Sequence, residues 1–159
     1  ALTIKEMASQ IDEVIHSIGM LIFLPKILNE GEIIEYASLG AGNTGKQFDV
    51  ETNLRIAEFS FANWKGGTET IRQNSLFKDF YKLVECDTTK TRYVYVWGSK
   101  LQKKFLMNSG RKIHSVFKHE NDLWDDFEIK YGNQFFKVKE YYDYRSHLVN
   151  IVDILDVIG

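Results

Sequence analysis

The chain contains little of the chemistry that cross-links or rigidifies small proteins. Its 159 residues include one cysteine, Cys86, and one proline, Pro25. A single cysteine excludes a disulfide within the chain and fits a reducing compartment, so we expect a cytoplasmic protein. Cys86 is also a poor candidate nucleophile, because its neighbours Glu85 and Asp87 disfavour a thiolate.

Long apolar runs and a charge excess are missing as well. The densest apolar run, residues 19–25, is too short to span a bilayer, and Lys5, Glu6 and Asp12 precede it. We therefore expect no signal peptide and no membrane segment. The 20 basic and 22 acidic residues leave a formal net charge of −2, so total charge does not identify a partner. Length and a 44% apolar share indicate one globular domain, residues 1–159.

The first part of the chain predicts one long helix or two consecutive ones. Residues 3–18 place apolar side chains at three- and four-residue spacing, and Thr3 with Glu6 forms a capping box. Residues 20–28 then form either a second short buried helix or a continuation that is kinked before Pro25.

A β-hairpin over residues 47–61 is the stretch that carries chemistry. Its two alternating strands meet at Asn53-Leu54, and a strand at 32–39 precedes them. The glycine-rich run at 40–45 lacks the Lys-Ser/Thr ending of a phosphate-binding loop, so we interpret it as a connection between strands.

Two carboxylates face each other in this hairpin. A two-residue turn pairs Val50 with Ala57 and places Asp49 across from Glu58. Like charges at cross-strand positions are destabilising unless a cation offsets them, and Mg²⁺ favours carboxylate oxygens. Asp49 and Glu58 are therefore candidate metal ligands, although acids on the solvated face of an amphipathic hairpin are an ordinary alternative.

The elements that follow define the expected fold class. Residues 69–85 predict a helix and residues 92–97 predict a strand, so the order is helix, three strands, helix, strand. A crossover helix allows the last strand to run parallel to an earlier one, which predicts an α/β fold with a mixed sheet flanked by helices. Further along, residues 135–144 suggest another strand and residues 148–158 suggest a short amphipathic helix.

A basic window follows the last core strand. Residues 99–119 contain no acid, and the acidic stretch at 120–128 could pair with them. Such a window could follow a nucleic-acid backbone, or it could be a solvated helix face. The candidate nucleic-acid contacts in it are Lys100, Lys103, Lys104, Arg111 and Lys112.

This element order, in which eight residues separate Asp49 from Glu58, resembles that of the PD-(D/E)xK nuclease superfamily. The resemblance covers residues 1–98 and implies a restriction-endonuclease-like αβββαβ core, with residues 99–159 as a C-terminal extension. It also implies that both acids hold Mg²⁺, with Mn²⁺ as a substitute, and that DNA is the substrate. In that superfamily a lysine two residues after the second acid positions or activates the attacking water.

The chain departs from this pattern at Ser60, which occupies the lysine position, and at Phe48, where a proline is common. We expect Ser60 to orient water and Lys65 to supply the missing positive charge. Gln73 resembles a polar residue that some branches place on the crossover helix. Weaker candidates are Lys46 and Arg72 as cations and Glu13 as an additional acid.

Three hypotheses follow. The first is a Mg²⁺-dependent nuclease-like domain that hydrolyses phosphodiester bonds in DNA. The second is a DNA-binding relative that has lost cleavage, for which Ser60 is the relevant feature. The third is a structural or protein-interaction domain whose aromatic C-terminal segment contacts a second subunit, so that the protein is a homodimer.

Overall fold

The computed structural model describes residues 3–39 and 45–159 of the chain. The predicted connection at 40–45 therefore lies outside the described residues except for Gly45. The helices are α1 Ile4–Ile27, α2 Thr70–Glu85, α3 Ser99–Asn108, α4 Ile113–Val116, α5 Asn121–Tyr131, α6 Val138–Arg145 and α7 Ile154–Ile158. The strands are β1 Ile34–Ala37, β2 Val50–Thr52, β3 Arg55–Ser60, β4 Thr91–Val96 and β5 Val149–Asp153.

The five strands form one mixed sheet in the order β1-β2-β3-β4-β5. Strand β2 runs antiparallel to β1 and β3, whereas β3, β4 and β5 are parallel to one another. Val50 pairs with Ala57, as the hairpin prediction required. The element order through β4 and the α/β class with a mixed sheet between helices are confirmed.

Helices cover both faces of the sheet because the strands alternate apolar side chains toward each face. On one face, Ala57 and Phe59 of β3 pack with Phe23 of α1. On the other face, Ile56 packs with Phe80 of α2 and with the C-terminal helices. Strand β3 is therefore buried on both sides, which explains why its polar residues are drawn into the interior.

Two sequence predictions in the C-terminal extension are wrong. Residues 135–144 are not a strand, because Val138–Arg145 forms helix α6, whose side chains Val138 and Tyr141 are buried in the core. Residues 148–158 are not one helix, since Val149–Asp153 adds strand β5 to the sheet before the short helix α7. Strand β5 pairs with β4 because the edge of β4 offers unpaired backbone N–H and C=O groups. The local periodicity of residues 148–158 contains no information about that edge.

Helix α1 is a single helix, with Pro25 in its last turn and the Thr3–Glu6 capping box at its start. By length and composition alone this helix could cross a membrane. That is weak evidence, because core helices of soluble proteins and signal sequences meet the same two criteria. Gly19 sets its distance from the sheet. A Cβ at that position would lie 2.5 Å from the ring of Phe61, so glycine permits this close approach.

Candidate active site

Asp49 and Glu58 meet as the hairpin predicts. The Asp49 carboxylate accepts a 2.9 Å hydrogen bond from the backbone N–H of Phe59, which holds it against β3. The Glu58 carboxyl lies close enough to Asp49 that the charge of Asp49 raises its pKa. Glu58 is only 6% exposed, so it does not lie on a solvated face, and that alternative is wrong for this acid.

A third acid joins them from the crossover helix. Asp79 of α2 interacts electrostatically with both Asp49 and Glu58. Asp79 was not among the predicted site residues, although the sequence contains a signal for it: it lies between the buried residues Leu76 and Leu83 at helical spacing. An acid on the apolar side of an amphipathic helix has a side chain directed into the protein.

The three carboxylates have too little positive charge around them. Burial raises the pKa of Glu58, and the charges of Asp79 and Asp49 raise it further, to about 11. Burial, followed by the charge of Asp49, raises the pKa of Asp79 to about 7. Lys82 opposes both shifts, with its Nζ 3.8 Å from Oε1 of Glu58. Glu58 is therefore protonated at neutral pH as long as no further cation is nearby.

A cleft of about 640 Å³ opens above this cluster, between α1, the end of β3 and α2. Ser60 and Asp79 line it together with His16 of α1. His16 Nε2 lies 3.8 Å from Oδ1 of Asp49 and 3.1 Å from the backbone oxygen of Ser38. Of the three acids, Asp79 lines this cleft, whereas Asp49 and Glu58 are not among its lining residues.

Several predicted residues are found elsewhere. Lys65 lines a separate surface cleft beside the start of α2, and its backbone N–H donates to Glu69. Gln73 accepts a 3.2 Å hydrogen bond from Arg111 and lines a second cleft with Lys104. Neither side chain lines the 640 Å³ cleft that contains Ser60 and Asp79.

The weaker candidates divide in the same way. Arg72 lines the main cleft, where it donates to the backbone oxygen of Asn63. Lys46 lies 5.6 Å from the ring centroid of Tyr36. Glu13 is exposed, and helix α1 instead contributes Asp12 and His16 to the cleft.

The basic window forms helix α3 and the segment leading into α4. Lys100, Lys103, Lys104 and Lys112 are partly or fully exposed, while Arg111 is half-buried and its burial lowers the pKa of the guanidinium. Lys104 and Arg111 line the second cleft with Trp64.

The acidic stretch at 120–128 is partnered outside the basic window. Glu120 pairs with Lys78 of α2 at 2.9 Å, and Asp126 pairs with Lys130 at 3.0 Å within α5. The expected pairing with the basic window is therefore wrong for these two acids, and the exposed lysines of α3 keep their positive charge available.

Within residues 3–39 and 45–159, no three His, Cys, Asp or Glu side chains are arranged so that they could hold a metal ion by themselves. Two facing carboxylates remain a chemically suitable set for Mg²⁺, which is commonly bound through one or two carboxylates plus water and substrate phosphate. The charge of Asp49 raises the pKa of Glu58, and a cation beside both acids would relieve that repulsion. Asp49 and Glu58 are therefore the residues that could hold such an ion.

Comparisons of the chain with protein-family models, curated proteins and solved structures found no match.

Proposed function

We propose that this chain is a divalent-metal-dependent nuclease domain that hydrolyses phosphodiester bonds in DNA, on a restriction-endonuclease-like αβββαβ core. The observation that carries the proposal is the convergence of Asp49 and Glu58 with Asp79, which lines the 640 Å³ cleft. The pKa values of Glu58 and Asp79 stay raised despite Lys82 and Lys78, so the acid cluster has an unfavourable charge balance, and such perturbed groups concentrate at functional sites.

In this proposal Asp49 and Glu58 hold Mg²⁺ or Mn²⁺. The ion supplies Lewis-acid polarisation of the phosphate and lowers the pKa of water. Asp49 is oriented for this role by the N–H of Phe59. Glu58 must lose its proton when the ion binds, so binding strengthens as pH rises.

Lys82 takes the place of the lysine that the motif lacks. Its ammonium lies 3.8 Å from Glu58, and a 3.0 Å hydrogen bond to the backbone oxygen of Gln47 restrains it. A lysine on the crossover helix can thus place a positive charge beside Glu58, as a lysine two residues after Glu58 would do. Ser60, at the cleft wall, is placed to orient water.

The exposed lysines of α3, with Arg111, supply the proposed contact to the DNA backbone. Phosphate contacts of this kind give affinity without sequence preference and make it dependent on salt. Helix α3 follows directly on β4, the strand that pairs with β3, so the basic surface is attached to the same sheet as the acids.

A cleavage assay tests the proposal directly. Supercoiled plasmid and single-stranded DNA are incubated with the protein and Mg²⁺ or Mn²⁺, and Asp49→Asn is compared with Glu51→Gln. Glu51 is the matched control, because it lies two residues along the same strand and pairs with Lys90 at 2.9 Å. We expect a loss of at least about 100-fold in Asp49→Asn and near-parental activity in Glu51→Gln.

Metal binding provides a second readout that does not require the right substrate. Calorimetry at pH 8 should give Mn²⁺ binding to the parent and to Glu51→Gln, and none to Asp49→Asn. Equal, negligible heats in all three proteins would remove the metal-dependent proposal.

A non-cleaving DNA-binding module is the second candidate, and two observations favour it. Ser60 cannot supply charge, and Glu58 is nearly inaccessible to solvent. This candidate predicts salt-sensitive retention of DNA in a gel shift, with no product under Mg²⁺ or Mn²⁺. Any metal-dependent cleavage of DNA by the parent protein excludes this second candidate.

A further inference from the structure

The outward side of helix α1 carries eight large apolar side chains that are between 47% and 88% exposed. They are Ile4, Met7, Ile11, Val14, Ile15, Ile18, Leu21 and Ile22. The opposite side of the same helix packs on the sheet through Met20, Phe23 and Leu24. Helix α1 is therefore apolar on two sides, and the described part of the chain covers one of them. We call the exposed set the α1 stripe.

The spacing of the α1 stripe identifies what kind of surface covers it. Residues 4, 7, 11, 14, 18 and 21 alternate steps of three and four over nearly three heptads. This repeat keeps one seam facing a partner helix, whereas a helix that packs on a sheet does not need it. Isoleucine occupies every first position of the repeat, at 4, 11 and 18, and the second positions hold Met7, Val14 and Leu21. β-Branched residues at the first position, combined with leucine at the second as at Leu21, favour parallel two-stranded pairing.

A lipid surface fits the α1 stripe less well. Helices that lie on membranes are rich in Lys and Arg on their polar side, whereas the described part of α1 carries Lys5 and Lys26 against Glu6, Asp12 and Glu13. A membrane-spanning arrangement would require lipid around the whole helix, and Phe23 and Leu24 are instead buried against the sheet.

We infer that the α1 stripe is a homodimer interface, in which α1 helices of two copies pack as a parallel two-stranded coiled coil. The stripe is uncharged and continuous, so it is complementary to itself about a two-fold axis. With a rise of 1.5 Å per residue, the seam from Ile4 to Ile22 is about 27 Å long. This inference does not depend on the proposed nuclease function.

The interface also bears on the cleft. Ile15 belongs to the α1 stripe and lines the cleft that contains Ser60 and Asp79. The dimer seam therefore runs along the rim of the cleft, and the two clefts of a dimer lie beside the same axis.

The first experiment measures mass in solution by size-exclusion chromatography with light scattering. We expect the parent to have twice the 18.5 kDa of one chain. Ile11→Lys/Ile18→Lys should halve that mass with an unchanged circular dichroism spectrum. Ile129→Lys is the matched control, because Ile129 is 86% exposed on α5 outside the stripe, and it should remain dimeric. A monomeric parent, or a double variant that stays dimeric, overturns the inference.

The second experiment tests the helix direction in a Cys86→Ser background. A parallel pair places residue 11 of one copy opposite residue 11 of the other, so Ile11→Cys should form a disulfide-linked dimer on mild oxidation. Ile129→Cys should not. Failure of Ile11→Cys to cross-link above the Ile129→Cys level overturns the parallel arrangement. Co-sedimentation of a monomeric parent with phosphatidylcholine–phosphatidylglycerol vesicles would assign the stripe to a membrane instead and overturn the dimer.

Discussion

The ammonium of Lys82 lies 3.8 Å from the carboxyl of Glu58, across the interface between helix α2 and strand β3. Lys82 acts on both Glu58 and Asp79, and Lys78 also acts on Asp79, whereas Lys65 was the cation expected from the sequence. Lys82 also donates to the backbone oxygen of Gln47 at 3.0 Å, so it contacts the segment before β2 as well as β3.

If Lys82 replaces the missing motif lysine, Lys82→Met should lower the rate of DNA cleavage by about 10²- to 10³-fold, because stabilisation of developing charge is lost. Lys65→Met is the matched control and should retain near-parental activity. Rates are measured under single-turnover conditions, and DNA affinity is measured separately by anisotropy. A larger loss in Lys65→Met than in Lys82→Met would reverse the assignment.

The raised pKa of Glu58 makes stability depend on pH. Its pKa is about 11 in the folded state and near 4.5 when unfolded, so the folded state binds more protons between these values. The stabilising contribution is complete below pH 4.5 and falls by up to about 1.4 kcal/mol per pH unit as pH rises. Urea unfolding of the parent without metal should therefore weaken from pH 5 to pH 8.

The variant Glu58→Gln tests whether Glu58 causes this pH dependence, because glutamine resembles the protonated acid in shape. We expect this variant to be at least as stable as the parent at pH 8 and to have a shallower pH slope, with Asp79 supplying the remainder. Identical slopes in the two proteins would mean that Glu58 ionises normally.

The buried pair Glu32–Arg55 should dominate the stability of the hairpin. Arg55 Nε and Nη2 donate to the Glu32 carboxylate at 2.6 and 2.7 Å, and both side chains are almost completely buried. Removing one partner leaves an uncompensated charge, so Arg55→Met should cost about 3–5 kcal/mol in chemical denaturation. Glu32→Met/Arg55→Met should recover part of that loss. A cost below about 1 kcal/mol for the single variant would contradict this account.

The same pair should make the protein sensitive to acid. Burial alone would raise the pKa of Glu32, but hydrogen bonds from Arg55, the N–H of Asn29 and Thr52 lower it to about 2. The stabilisation is therefore present above pH 4.5 and is lost as pH falls toward 2. Thermal unfolding between pH 6 and pH 2.5 measures this loss, which should be absent in Glu32→Met/Arg55→Met.

Lys104 and Arg111 share the second cleft and should contact the DNA backbone. Each phosphate contact contributes about 0.9 to the salt dependence of binding. Lys104→Gln/Arg111→Gln should therefore weaken DNA binding and flatten the plot of log affinity against log salt by about 1.8. Lys5→Gln/Lys26→Gln on α1 removes the same charge and should leave the slope unchanged. Equal slopes in all three proteins would exclude this surface as the DNA contact.

Local patterns determined much of the fold. The alternation of β2 and β3 predicted the hairpin and the pairing of Val50 with Ala57, and helical periodicity predicted α2. These features depend on neighbours a few residues apart. Strand β5 and helix α6 were misassigned, because the free edge of β4 and the shape of the core determine their conformation, and those contacts are distant in sequence.

The candidate site divides in the same way. The sequence by itself determined that Asp49 and Glu58 face each other, since strand pairing has a fixed period. Only the tertiary structure placed Asp79 and Lys82 beside them, moved Lys65 and Gln73 to other clefts, and buried Glu58. The rotation of α2 about its own axis decides which of its polar side chains face β3. Helical periodicity indicates that Asp79 lies on the buried side of α2, but packing of α2 against the sheet and the C-terminal helices decides that this side meets Asp49 and Glu58.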